Sequence, residues 1–182
     1  MRTNKKTIAL CQIALLSALM SISAWIALPF PIPVTLQLFV LFLMAFLFSP
    51  SISISCCMVY LALGVVGLPV FSGFQSGIGT ILGPSGGFLV AFLPSTALVS
   101  FLCKKHTKPL VRFLLGCLGL FIVYLVGSLW YTFVYGGTRA FYVCVLPFLL
   151  PDLCKLLAAA LLSYRLRHFF GKGAGSPRRY PK

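Results

Sequence analysis

The sequence predicts an all-α integral membrane protein, a single bundle of six transmembrane helices. Three observations carry that expectation. First, 60% of the residues are hydrophobic and the mean hydropathy is +1.05. Second, only 9% are charged, against about 25% in a soluble domain. That leaves too few polar side chains to cover a soluble surface, and disorder is excluded because it needs low hydrophobicity. Third, the apolar residues fall in long uncharged runs separated by Pro, Gly or basic clusters. A span needs about 20 apolar residues, so 182 residues hold six spans with short loops. They do not hold the larger transporter folds with nested repeats.

The first span is expected at 8–28. Arg2, Lys5 and Lys6 precede it, as in a secretory leader, but the uncharged stretch is longer than a leader's apolar region and no A-x-A site closes it. Pro29, Pro31 and Pro33 end it, since proline lacks an N–H and clashes with the preceding turn. The second span is expected at 34–49, closed by Pro50, and the third at 52–66. Residues 67–87 follow with seven Gly, two Pro and no charge. The fourth span is expected at 88–102, ahead of the basic loop Lys104-Lys105-His106-Thr107-Lys108. The fifth is expected at 111–133. The sixth, at 147–164, comes after an apolar stretch, 140–146, expected at the interface. Residues 165–182 form a basic tail rich in Gly and Pro, expected to be disordered. The whole chain, 1–182, is thus read as one membrane domain.

The charge is lopsided: 15 Lys and Arg against one acid, a formal +14. With six spans, thirteen of the fifteen bases fall on one side, in the two termini and the 104–112 segment. Only Arg139 falls opposite, and Lys155 lies inside a span. Such a bias places the basic side in the cytoplasm, and both termini with it. The bases are therefore read as topology signals, not as a nucleic-acid surface: they lack interleaved aromatic residues. The loops at 29–33, 67–87 and 135–146 then face outward, where an external solute arrives.

Little supports catalysis. The sequence contains no Ser/His/Asp set, no paired carboxylates and no Gly-Lys-Ser/Thr phosphate loop. The seven Cys (11, 56, 57, 103, 117, 144 and 154) include no C-x-x-C pair. They lie mostly in apolar runs, where a thiol packs as a small hydrophobe. Neither a metal site nor a cofactor is expected.

The informative residues are few. Asp152 is the only acid, and Lys155 follows it at i+3, on the same helix face. By helical rise, Lys155 lies roughly 15 Å and Asp152 roughly 20 Å from Arg165, both within an apolar core about 30 Å thick. Ionised groups at that depth face a cavity or each other. The pair is read either as self-neutralising or as the polar anchor of an outward-facing ligand site. Thr35 and Gln37 sit at the mouth of the second span, about 200° apart if helical, so one lines a cavity while the other caps or packs. In the 67–87 segment, glycine permits irregular backbone that lines or covers a cavity. Phe71, Phe74 and Phe88 are candidates to pack on an apolar ligand there, and Ser72, Gln75 and Ser85 to hydrogen-bond it. Ala14 and Ala18, four apart in the first span, permit close approach of another helix.

Four motifs in order resemble the BioY family, the biotin-binding S components of energy-coupling factor (ECF) transporters. They are Pro-Ile-Pro-Val-Thr-Leu-Gln (31–37), Gly-Leu-Pro-Val-Phe-Ser-Gly (67–73), Leu-Gly-Pro-Ser-Gly-Gly-Phe-Leu-Val-Ala-Phe (82–92) and Leu-Pro-Phe-Leu-Leu-Pro-Asp-Leu-Cys-Lys-Leu-Leu (146–157). The chain departs from the family pattern at Ser72 (Ala), Ser85 (Thr), Phe88 (Tyr) and Ala91 (Gly), and at Phe74 and Gln75, where small residues are usual. The resemblance implies a six-helix S-component bundle with a vitamin site near the outer face, closed by the 1–2 and 3–4 loops. It implies biotin contacts from Asp152 and Lys155. It also implies a transmembrane T component, facing Ala14 and Ala18, and two ATPase subunits as partners. An S component for another vitamin and a non-transporting membrane scaffold are the competing readings.

Overall fold

The computed structural model describes residues 5–28, 33–136, 142 and 144–173. Arg2, Pro29, Pro31, Arg139, most of the 140–146 stretch and residues 174–182 of the tail lie outside the described residues. Among those described, the fold is all-helical apart from one two-stranded ribbon: α1 (Lys5–Trp25), β1 (Ala27–Leu28), β2 (Val34–Thr35), α2 (Gln37–Leu47), α3 (Pro50–Val66), α4 (Ile78–Leu82), α5 (Gly86–Cys103), α6 (Pro109–Tyr135) and α7 (Leu146–Gly173). A 3-10 turn, Ser72–Phe74, lies between α3 and α4.

Four helices, α1, α5, α6 and α7, are long and apolar enough to cross a membrane; α2 and α3 are shorter apolar helices. Their outer faces are apolar: Leu15 is 74% exposed, Leu150 76% and Phe133 88%. A soluble chain would bury such residues, whereas lipid accepts them. The polar groups point inward. Ser17 donates to the Cys56 carbonyl (3.2 Å), Ser53 to the Met44 carbonyl (3.0 Å) and Ser95 to the Gly119 carbonyl (2.9 Å). These bonds tie α1 to α3, α3 to α2, and α5 to α6.

The largest departures from the expected boundaries fall in three places. The first helix ends at Trp25, not 28. Beyond it, Ala27 and Leu28 are extended and pair antiparallel with Thr35 and Val34. Proline favours extended backbone in the residue before it, so the Pro-rich hairpin takes residues from both flanking helices. Accordingly α2 begins at Gln37, not 34. It ends at Leu47, because Pro50 holds Ser49 extended (φ −69°, ψ 152°) and then starts α3 as its first residue. The third difference is at the far end. The expected disordered tail is helical through Gly173, and Arg167 donates to the Phe46 carbonyl at 2.8 Å, a cation on the carbonyl end of α2.

The core centres on α2, whose Leu41, Phe42, Met44 and Phe46 are fully buried. A helix apolar all round belongs in an interior, and α2 packs against α7, α5 and α1. Glycines bring α5 and α6 together. A Cβ on Gly87 would stand 2.3 Å from Trp130 Cβ, and one on Gly127 2.5 Å from the Phe88 ring.

Candidate functional site

A cavity of about 560 Å³ of empty space, its open mouth included, lies between the β2–α2 junction, the 3-10 turn and helices α5, α6 and α7. Its floor is polar and its walls are apolar, with Phe88, Phe92 and Phe148 among the lining residues.

The polar floor is Asp152, 3% exposed. Tyr124 of α6 donates its hydroxyl to Oδ2 at 2.8 Å, and Lys155 donates to Oδ1 at 2.7 Å. Each carboxylate oxygen keeps a second acceptor site for a ligand N–H. Lys155 is not itself among the lining residues; it stands beside Asp152 with its side chain 13% exposed. The self-neutralising pair and the cavity-facing anchor are thus present in one arrangement: the acid is paired and also faces the cavity.

A second polar chain borders the cavity on the β2–α2 side. The Thr35 hydroxyl donates to Gln37 Oε1 at 2.9 Å. Gln37 Nε2 donates to the Tyr60 hydroxyl, and Tyr60 donates to the Val70 carbonyl at 3.2 Å. Both Thr35 and Gln37 line the cavity, unlike the expected split, because Thr35 lies in a strand and the helical 200° separation does not apply. Leu36, the residue before α2, makes no capping bond, but the Thr35 hydroxyl oxygen also accepts from the Gln37 N–H that opens the helix, at 3.4 Å.

The 67–77 segment folds back over α3. Gly67 ends α3 in the left-handed region (φ 109°), and the Gly77 N–H reaches the Gly64 carbonyl at 2.7 Å. Phe71 is fully buried, edge-on to Tyr60, with its ring over Gly64, where a Cβ would fall 2.0 Å from the ring. Phe74 points outward instead and stacks on Trp25 at 5.0 Å, while the Trp25 indole donates to the Pro69 carbonyl at 2.8 Å. Among the residues singled out in the sequence, Thr35, Gln37, Ser72, Ser85, Phe88 and Asp152 line the cavity. Phe71, Phe74 and Gln75 do not. Ala14 and Ala18 lie exposed on α1.

Sequence reasoning missed Tyr124, Phe92 and Phe148. Signals existed for each. A tyrosine hydroxyl deep in an apolar span needs a partner. Phe92 follows Phe88 by four, and Phe148 precedes Asp152 by four, which puts each pair on one helix face.

Comparisons with known proteins identify the family and the fold. Residues 1–172 match the BioY family. The chain is 37% identical to the probable biotin transporter BioY of Pyrococcus horikoshii, over 85% of this chain and 93% of that one. It is 34% identical to the biotin transporter BioY of Thermotoga maritima, over 87% and 95%. The fold superposes on a crystal structure of the S-component for biotin from an ECF-type ABC transporter. The TM-score is 0.84 at 28% identity, covering 92% of this chain and 95% of that one.

Proposed function

Because the chain belongs to the BioY family, we propose that it is the substrate-binding subunit of a biotin transporter, capturing the vitamin and mediating its uptake. It is a membrane transport component and not an enzyme. The observation that carries this reading is the Asp152 carboxylate at the floor of an aromatic-walled cavity. Biotin has a ureido ring with two N–H donors and a carbonyl, a thiophane body and a valerate carboxylate. Asp152 accepts from the ring N–H groups. Phe88, Phe92 and Phe148 pack on the thiophane. Gln37, Ser72 and Ser85, which line the cavity, supply further polar contacts to the ligand's oxygens, Thr35 offers its hydroxyl oxygen as an acceptor, and Lys155 reaches the ligand by turning from Asp152.

In this reading six helices span the inner membrane, α2 and α3 as the short spans. Both termini are cytoplasmic, as the distribution of bases supports. The cavity then opens to the outside. Exposed Ala14 and Ala18 offer α1 to a T component, which two ATPase subunits drive. Labelled biotin, displaced in turn by unlabelled biotin, riboflavin and thiamine, tests the assignment with purified protein. Displacement by biotin alone is expected. Preferential displacement by another vitamin moves the chain to a different substrate, and absence of saturable binding favours a membrane scaffold.

A further inference from the structure

Among the described residues, Arg112 is the largest fully buried side chain. It lies in the first turn of α6, behind the loop 104–108. Its Nε donates to the His106 carbonyl at 3.0 Å and one terminal nitrogen donates to Ser163 Oγ at 2.8 Å. The other terminal nitrogen is buried without a partner among the described residues. Both acceptors are neutral. A buried guanidinium with a free donor and no anion is costly, since buried charges are normally paired.

The chain cannot supply that anion from a side chain. Its one acid, Asp152, is bound to Lys155 and Tyr124 and lies eleven residues from Ser163 along α7, roughly 16 Å by helical rise. A second guanidinium makes the need greater. Arg167 follows Ser163, the hydrogen-bond partner of Arg112, by four, one turn along the same face, so a second guanidinium belongs to this end of α6 and α7.

We propose that Arg112 and Arg167 form a binding site for a phosphate-type oxyanion. A guanidinium fork matches phosphate geometry, and two of them suit a group with several acceptor oxygens. The loop over Arg112 is exposed from Lys104 to Lys108, so an oxyanion reaches the free nitrogen by displacing it. In a bilayer this basic end stands at headgroup level, where anionic lipids gather. The phosphate comes either from such a lipid or from solution.

The test is thermal unfolding of the purified full chain in neutral detergent. The additions are phosphatidylglycerol, phosphatidylcholine with the same acyl chains, or inorganic phosphate against chloride at equal ionic strength. Phosphatidylglycerol is expected to raise the midpoint saturably, by about 3 °C or more, and phosphatidylcholine is not. Arg112→Lys keeps the charge but loses the fork, and removes the rise. Arg167→Gln, on an exposed side chain, reduces it. The double variant Lys104→Gln/Lys105→Gln retains it. If inorganic phosphate stabilises the protein and the lipid does not, the site stands and its ligand is soluble phosphate. The proposal is overturned if no phosphate source stabilises the parent beyond its control. It is equally overturned if both arginine variants keep the parental rise, or if the lysine variant abolishes it. Biotin stabilisation is measured in the same samples. Its persistence in Arg167→Gln separates this site from the cavity, and its absence in the parent contradicts the transport reading alone.

Discussion

Asp152, Lys155 and Tyr124 form a buried network in which neither partner of the acid is replaceable without consequence. Removing one member of a buried ion pair leaves the other uncompensated, at about 3–5 kcal/mol. Lys155→Ala is therefore expected to lower the unfolding midpoint sharply. The double substitution Asp152→Asn/Lys155→Met removes both charges and recovers most of that stability, because isosteric replacement of a whole pair is often neutral. Biotin binding stays lost in the double variant. A double variant with parental affinity would reduce the pair to a structural role. Tyr124→Phe deletes one hydrogen bond to a charged acceptor, about 1.5–3 kcal/mol, and keeps the ring. Calorimetric titration should show biotin affinity weakened about tenfold or more, with the fold intact. An affinity equal to the parent's would mean that Tyr124 does not orient the carboxylate for the ligand.

At the scale of elements, the segment over the cavity is held from outside by the end of α1. Trp25 bonds the Pro69 carbonyl and stacks on Phe74, and Gly73 and Phe74 both have positive φ (66° and 59°). A non-glycine residue in the left-handed region is uncommon, and here the stack compensates for it. Trp25→Ala removes a hydrogen bond and an aromatic pair, together about 1.5 kcal/mol. Biotin dissociation is expected to quicken about tenfold in a stopped-flow chase; an unchanged rate would separate this contact from release. The same segment shows where the sequence stopped being legible. On helices, spacing told which residues share a face, and the lone acid at membrane depth pointed directly to Asp152. In an irregular glycine-rich segment no periodicity orients side chains. Phe71, Phe74 and Gln75 were therefore singled out by composition, yet one ring turned into the core and the other outward. The ends of α2 were illegible for a related reason. Val34 and Thr35 belong equally to an apolar helix run and to a strand, and only the prolines before them decide. The continuation of α7 to Gly173 was hidden by its basic, glycine-containing composition, which Arg167 offsets by capping α2.

For the whole molecule, the apolar exterior of α1, α6 and α7 suits a bilayer, and the one-sided placement of bases is the ground for the proposed orientation. The claim that the cavity faces outward rests on that orientation. In a variant without native cysteines, Gln75→Cys is expected to react with a membrane-impermeant maleimide in intact cells. His106→Cys is expected to react only after permeabilisation. The reverse pattern would invert the topology and turn the cavity toward the cytoplasm. The six-span reading, the outward cavity and the polar floor meet in one quantity, the affinity of the purified chain for biotin. Equilibrium binding of labelled biotin to the parent and to the double variant Asp152→Asn/Lys155→Met measures it most directly. One saturable site in the parent, weakened about a hundredfold in a variant that unfolds near the parental midpoint, is the predicted result. Equal binding by the two proteins, or none by the parent, would contradict it.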